Sequence, residues 1–516
     1  MYGYDSAFIG GTMALPSFKH RYGLDTANSD ESTNLSSNIV STFQAGALFG
    51  AIAGFFIAER WGRMVTIMGG GALFMVGAGL MLHGTLGVLY GGRVLTGLSI
   101  GATSTIIPIY IAECSPALIR GRLVGMFEIM LQVALVFGFW INYGVEKNIS
   151  GQRDQQWHIP VAAQFVPAGL LLISMPFIVE SPRWLVSNNR VSHGKKALCS
   201  VRNLPMDHDY IKAEMEEIQA SITHELEVSG GRRSTSQICR ELGAPGIRSC
   251  VIIAVILMLL QNLTGINVSP QAAEATRNAD RPGDQLLLFH HLKAIGYSGT
   301  SVGLLATGVY GLVKMFTTLI FMVFFVDRFG RRPARLVGAV GAMAAMFYLA
   351  GYSALSGSFE GKTPARDSGA QAALAMIYIY AIFYGFSWNG IPWIFASELL
   401  PNRVRTLGMM CAVCMQWLAQ FVVVYSLPHM VADITYSTSI FFGACTVIAI
   451  LFAFFFVPET KGVALEDINI MFGSGAPLFA RSARKRYNEA HEAGINMVNI
   501  AHVEGKKRES LRQEEA

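Results

Sequence analysis

Long apolar runs bounded by charged or turn-forming residues recur along the whole chain, and their lengths match the roughly 20 helical residues that cross the about 30 Å hydrocarbon core of a bilayer. Eleven are complete, at about 38–58, 64–83, 86–112, 123–143, 159–179, 251–267, 302–326, 336–356, 372–397, 407–430 and 438–457. Residues 2–18 read as the outer part of a first span truncated at its start. The pattern predicts an all-α integral membrane protein of twelve transmembrane helices. Two polar stretches interrupt it. In 180–250, Ile211, Met215, Ile218 and Ile222 recur at spacings of four, three and four among charged residues, which predicts a short amphipathic helix. From Phe479 onward the chain is rich in Arg, Lys and Glu and reads as a solvated extension. The division that follows is an N-terminal six-helix bundle over 1–179, a cytoplasmic loop over 180–250, a C-terminal six-helix bundle over 251–457 and a cytoplasmic tail over 458–516.

With 52% of 516 residues apolar, 15% charged and a mean hydropathy of +0.40, the chain is too apolar for an ordinary soluble protein. Its formal net charge of +5 is topological in origin. Of 40 Lys and Arg, 29 fall in the even-numbered loops and the tail, 9 in the odd-numbered loops, and two, Arg93 and Lys314, inside spans. Positive charge marks cytoplasmic loops, so the even loops and the C-terminus are expected in the cytoplasm, with the plasma membrane as the location. Nucleic-acid binding would need a clustered basic face, which the sequence lacks. The seven Cys are scattered and give neither a disulfide framework nor a metal site. No nucleophile with its base, phosphate loop or metal-ligand spacing stands in a water-facing segment, so neither catalysis nor a cofactor is expected.

Three charged motifs recur in the same order in both halves. Glu59-Arg60-Trp61-Gly62-Arg63 after span 2 returns as Asp327-Arg328-Phe329-Gly330-Arg331-Arg332 after span 8, 268 residues on. Glu113 with Arg120 at the end of span 4 returns as Glu398 with Arg405 at the end of span 10, 285 residues on. Glu180-Ser181-Pro182-Arg183 after span 6 is answered by Pro458-Glu459-Thr460 after span 12, with the two Glu 279 residues apart. Alone, an acid and an Arg at a span end are commonly interfacial anchors. Ordered recurrence instead implies two six-helix halves related by an axis normal to the membrane. Gly62 and Gly330 suit tight turns that let helix ends approach. The flanking charges form the expected cytoplasmic gate: Glu59, Arg60, Arg63, Glu113, Arg120, Glu180 and Arg183 from the first half, Asp327, Arg328, Arg331, Glu398, Arg405 and Glu459 from the second. They are expected to pair across the gap between bundles in one conformation and to part in the other. Each such pair is worth only about 0–1 kcal/mol near water, so the gate acts as a network.

At these residues the chain resembles the sugar porter family of the major facilitator superfamily. The Asp-Arg-x-Gly-Arg-Arg loop, Glu180-Ser181-Pro182-Arg183-Trp184-Leu185, Pro458-Glu459-Thr460-Lys461-Gly462 and Gln261-Asn262-Leu263-Thr264-Gly265-Ile266-Asn267 together carry the resemblance over nearly the whole length. Within the family, Gly3-Tyr4-Asp5-Ser6-Ala7-Phe8-Ile9-Gly10, Phe139-Trp140-Ile141-Asn142-Tyr143-Gly144-Val145 and Ser387-Trp388-Asn389-Gly390 look most like fungal quinate permeases, although hexose and disaccharide porters share much of this wording. The resemblance implies a major facilitator fold of two six-helix bundles.

An ionisable group at mid-bilayer costs at least about 2.5–3.5 kcal/mol on insertion scales, so each requires a partner or a role. Asp5 in span 1 and Arg93 in span 4 are expected to pair, and protonating Asp5 would release Arg93 and couple proton entry to rearrangement. The resemblance supports that role; a permanent helix-holding pair is the alternative. Glu128 reads as a packing or gating group. A polyol needs convergent donors and acceptors with aromatic faces, and Gln132, Gln261, Asn262, Asn267, Asn389, Trp393 and Gln416 are the candidates, with Trp417 open to this role or to packing and Trp388 a packing aromatic. Interhelical hydrogen bonding is the plainer role for an isolated amide; the resemblance implies substrate contact for Gln132, Gln261, Asn262, Asn267, Trp393 and Gln416. Lys314 would meet a carboxylate such as that of quinate, or else bond helix carbonyls or pair with an acid.

One departure from the family stands out. After Asn267 the stretch from Val268 to His291 carries Glu274, Arg277, Asp280, Arg281 and Asp284, which cannot lie in hydrocarbon as half a helix, so span 7 reads as disrupted by an extracellular insertion or a retained intron. The expected function is a secondary active transporter importing quinate or a related polyol or sugar by proton symport through alternating access. Its partners would be that small molecule, protons and the lipid bilayer, and it would act as a monomer. A hexose porter or uniporter and a non-transporting nutrient sensor are the alternatives.

Overall fold

A computed structural model describes residues 1–25, 29–116, 119–228, 242–243, 247–265, 300–355, 368–400, 404–434, 436–460, 479–480 and 482–489. Helices α1 (Tyr2–Ala14) and α2 (Pro16–Tyr22) form the first span, separated at Leu15, whose extended backbone precedes a proline that starts the next helix. Next come α3 (Ser29–Trp61), α4 (Arg63–Met81), α5 (Leu86–Cys114) and α6 (Arg120–Asn148). The sixth span is α7 (Gln155–Ala162) continued by α8 (Phe165–Ser174). The apolar pattern misses the first turns of α3, which begins at Ser29 instead of 38. Ser32, Ser36, Ser37, Ser41 and Gln44 are buried there, so this face is polar yet faces protein.

The second half repeats the plan. It runs through α9 (Pro182–Ser187), α10 (Val191–Arg202) and α11 (Asp209–Val228) of the connecting loop to α12 (Ile247–Leu263). Helix α13 (Thr300–Ile320) continues through a π-helical turn, Phe321–Phe325, into α14 (Val326–Phe329). Then follow α15 (Arg331–Leu355), α16 (Ser368–Gly385), α17 (Ile391–Leu399), α18 (Arg405–Ile434) and α19 (Ser437–Phe456). Among the described residues nine helices are long and apolar enough to cross a membrane, and Ile247–Leu263 and Gln371–Gly385 are shorter apolar ones. Asn267 and the polar stretch 268–291 lie outside the described residues.

The tenth span is not the continuous helix that the apolar pattern of 372–397 predicts. It breaks between α16 and α17 at Phe386–Gly390, where the backbone turns back so that Ser387 and Asn389 both donate to the Tyr384 carbonyl. Gly390 and Pro392 make the break cheap, since proline has no N–H to lose at the start of a helix. Irregular backbone survives at this depth only when buried in protein, and Trp388 is fully buried with its indole donating to the Arg335 carbonyl at 3.1 Å.

Close packing within the first half comes from small residues. Gly46 and Gly54 of α3 abut Val94 and Ala102 of α5, and a Cβ added to Gly46 would lie 2.5 Å from the Val94 carbonyl oxygen. Lipid gives helices no hydrophobic reason to associate, so such close backbone approach carries the contact. Between halves, α3 packs on α18 and α6 on α13, which leaves a cleft between the two bundles. In the loop, Ile211, Met215 and Ile222 of α11 bury against Val186 of α9 and Leu198 of α10, as their spacing predicts. Arg202 anchors this unit to the end of α5, donating to the Cys114 carbonyl at 2.7 Å while paired with Glu214.

Candidate functional site

A central cavity opens between the halves, with about 690 Å³ of empty space, part of it open to solvent. Seven of the eight residues that the sequence assigns to substrate line it: Gln132, Gln261, Asn262, Lys314, Asn389, Trp393 and Gln416. The eighth, Asn267, is outside the described residues. Trp417, open from sequence to either role, is not among the lining residues; it and Trp388 are fully buried, with the Trp417 indole donating to Ser104 Oγ at 3.3 Å across the two halves.

The broken tenth span organises the amides. Gln261 Nε2 donates to the exposed carbonyls of Trp388 at 2.9 Å and Asn389 at 2.8 Å. Asn262 Nδ2 donates to Gln416 Oε1 at 2.8 Å, and Asn389 Nδ2 to Thr318 Oγ1 at 3.2 Å. Gln132 Nε2 donates to Glu128 Oε1 at 2.7 Å, while Gln132 Oε1 is buried with no hydrogen-bond partner among the described residues. A buried, unsatisfied acceptor is costly unless a ligand satisfies it.

Lys314 is 5% exposed, and its ammonium stands 5.4 Å from the Tyr384 ring centre with no hydrogen bond or ion pair to any described residue. It bonds no helix carbonyl among the described residues, and the acid that it could pair with is Glu128. Glu128 is the facing carboxylate, 4% exposed and on the same cavity wall as Gln132. Glu128, Tyr2, Ser6, Tyr384 and Gln420 also line the cavity and were not assigned to substrate from sequence. Two of them carried a signal: Glu128 is four residues before Gln132 and Gln420 four after Gln416, the spacing that puts side chains on one helix face.

Asp5 and Arg93 do meet. Arg93 Nη1 lies 3.2 Å from Asp5 Oδ1 and 3.0 Å from Oδ2, and both side chains are essentially sealed from solvent. Arg93 also donates to the Ile39 carbonyl at 3.3 Å and sits 4.7 Å from the Phe43 ring centre. The pair thus joins α1 to α5, with α3 packed over the guanidinium.

At the other end of the bundles the repeated charges form two copies of one unit. Arg63 grips Glu113 through two bonds of 3.2 Å and reaches Glu59 at 3.3 Å, and Ser181 donates to Glu113 at 2.5 Å. The Glu180 carboxylate accepts from the backbone N–H of Arg63 at 3.1 Å and Met64 at 3.0 Å, so it caps the start of α4. In the second half Arg331 pairs with Glu398 at 2.9 Å, Thr460 donates to Glu398 at 3.1 Å, and Glu459 accepts from the N–H groups of Arg331 at 3.0 Å and Arg332 at 2.9 Å. Gly62 and Gly330 have φ of +105° and +88°, and a Cβ on either would strike the capping carboxylate.

These pairs, all between described residues, join helices of the same half, where the sequence suggested pairing across the gap in one of two conformations. The reason is geometric: each capping Glu follows the sixth helix of its half and so stands over the first turn of the third. Arg60 lies outside the network, exposed beside Trp61, whereas Arg183 donates to Ser221 and stands within electrostatic reach of Glu113. Arg405 is buried and bonds the Leu400 carbonyl at 3.4 Å, and Arg328 is exposed. The side chains of Arg120 and Asp327 lie outside the described set. Arg335, read from sequence only as a loop charge, is fully buried over the Phe395 ring at 4.4 Å.

A family model described as "Sugar (and other) transporter" matches residues 1–273 and 290–472, leaving unmatched a gap inside the polar stretch 268–291. The "Quinate permease" of Emericella nidulans is 38% identical over 481 residues, covering 92% of this chain and 86% of that protein. The "Probable quinate permease" of Neosartorya fischeri is 38% identical over 482 residues, covering 92% and 85%. Among solved structures, the proton:xylose symporter XylE bound to 6-bromo-6-deoxy-D-glucose matches with a TM-score of 0.73 and 25% identity, over 91% of this chain and 96% of its own. Two helical halves around an amide-lined cavity, with a family match running through both, show that this chain belongs to the sugar transporter family of the major facilitator superfamily and is a multi-pass membrane transporter.

Proposed function

We propose that this transporter imports quinate or a closely related polyol carboxylate together with protons, by alternating access of the halves 1–179 and 251–457 about the central cavity. The observation that carries this reading is Lys314. A buried ammonium with no hydrogen bond or ion pair among the described residues, at the wall of an amide-lined cavity, is suited to receive an anion. The amides of Gln132, Gln261, Asn262, Asn389 and Gln416 would serve the ring hydroxyls, and Trp393 would offer its face. The relatives named quinate permease support the anion, and the kinship with a proton:xylose symporter supports the proton.

Asp5 is the proton site of this scheme. Ionised, it holds Arg93 and ties α1 to α5; protonated, it gives up most of that attraction and frees the helices to shift. The two capped Gly-Arg units act as cytoplasmic gates that loosen together when the halves rock. The C-terminus faces the cytoplasm, the chain works as a monomer, and the plasma membrane is its location. The test is uptake of labelled quinate by permease-deficient cells expressing the chain. Uptake that rises at acidic pH and collapses with a protonophore is expected; uptake indifferent to both would refute proton coupling, and no saturable quinate uptake in cells where the chain carries labelled glucose would refute the substrate. A neutral-sugar porter is the second reading, favoured by the sugar analogue bound to the related symporter.

A further inference from the structure

The cavity holds two opposed charges that do not touch. Lys314 and Glu128 line the same cavity and interact electrostatically, yet no ion pair within hydrogen-bonding distance joins them. With both ionised, the empty site sums to zero charge. Resting on the anion reading given above, we infer that Glu128 is a second proton acceptor, which takes up one proton when a carboxylate-bearing substrate seats against Lys314.

The reasoning is electrostatic neutrality in a low-dielectric site. A hydroxycarboxylate is ionised at neutral pH, and placing it against Lys314 would bring a second carboxylate beside Glu128, sealed from bulk water. Two carboxylates sharing one cation in such a place cannot both stay ionised; one takes a proton, as paired carboxylates do elsewhere. Glu128 is the one that does so, because the substrate carboxylate has the ammonium as direct partner and Glu128 does not. Glu128 Oε1 is already held by Gln132 Nε2 at 2.7 Å, so the proton, taken from water on the open side, goes to Oε2. The bound state then sums to zero as the empty one does: ammonium, substrate anion and a neutral acid. The groups facing Glu128 from every neighbouring element fit this. Lys314 comes from α13, Tyr2 from α1, Tyr384 from α16 and Asn389 from the break before α17; Lys314 is the cation among them, and Asp5 on α1 is engaged by Arg93. The acid is therefore tied to substrate charge, whereas Asp5 is tied to helix movement.

Calorimetry on the full chain in lipid nanodiscs, in two buffers of different protonation enthalpy, counts protons taken up per ligand bound. The probes are quinate and its neutral methyl ester. About one more proton per quinate than per ester is expected, and the quinate-to-ester affinity ratio should fall about tenfold per pH unit where the empty site is ionised. Glu128→Gln should abolish the difference, and Asp5→Asn should leave it. Equal proton counts for the two ligands in the unaltered chain, a measurement that needs no variant, would overturn the proposal. So would a difference that survives Glu128→Gln or vanishes in Asp5→Asn. A chain that binds the ester but no quinate would instead overturn the anion reading on which this one stands.

Discussion

Replacing Lys314 with Met tests the substrate assignment most directly, because it keeps the length and apolar stem of the side chain and removes only its charge. The ammonium is buried and makes no hydrogen bond to any described residue, so a carboxylate that binds there gains a charge-assisted hydrogen bond, worth about 1.5–3 kcal/mol net. At 1.4 kcal/mol per factor of ten, its loss should raise the half-saturation concentration for quinate by about 10- to 150-fold. A neutral polyol such as the methyl ester of quinate should be affected less than about threefold. The substitution also strands Glu128 opposite an apolar group, so the double variant with Glu128→Gln separates the cost of the stranded acid from the loss of the anion contact. The assay is concentration-dependent uptake of labelled quinate, with the ester as competitor, in permease-deficient cells at matched expression. If quinate and ester lose affinity alike, or quinate loses none in either background, Lys314 does not read substrate charge and the assignment falls.

Asp5→Asn is expected to exchange quinate across proteoliposomes at a measurable rate but not to concentrate it, so a steady accumulation ratio well above one would remove Asp5 from proton coupling. Arg93→Met and Asp5→Asn should each lower the thermal unfolding midpoint, since either strands one member of a buried ion pair at a cost of about 3–5 kcal/mol; an unchanged midpoint in both would show that the pair does not hold α1 to α5. Gly330→Ala places a Cβ 2.6 Å from a Glu459 carboxylate oxygen at a φ of +88°, so purified protein should unfold at lower temperature; an unchanged midpoint would show that the turn relaxes freely. For Glu180→Gln the expectation is milder, about 1 kcal/mol from a weakened cap on α4, with faster labelling of cysteines near that end of the bundle as the measurement.

Which features were legible in the sequence follows from how local their physics is. A bilayer imposes a length and a composition on every crossing helix, so the spans, the doubled architecture and the positive bias of one side could be read residue by residue. Buried polar groups were legible for the same reason: in hydrocarbon each must have a purpose, and Asp5, Arg93, Gln132, Gln261, Lys314 and Gln416 all converge where that argument puts them. Tertiary structure decided the relations between distant pieces. No spacing revealed that the tenth span unwinds at Phe386–Gly390 and hands its carbonyls to Gln261, because that break is stable only once other helices surround it. Nor did any motif show that Glu180 and Glu459 cap the third helix of their own half instead of bridging the two bundles. The partner of a carboxylate is set by which helix end lies within 3 Å of it, and that distance exists only after the helices have packed.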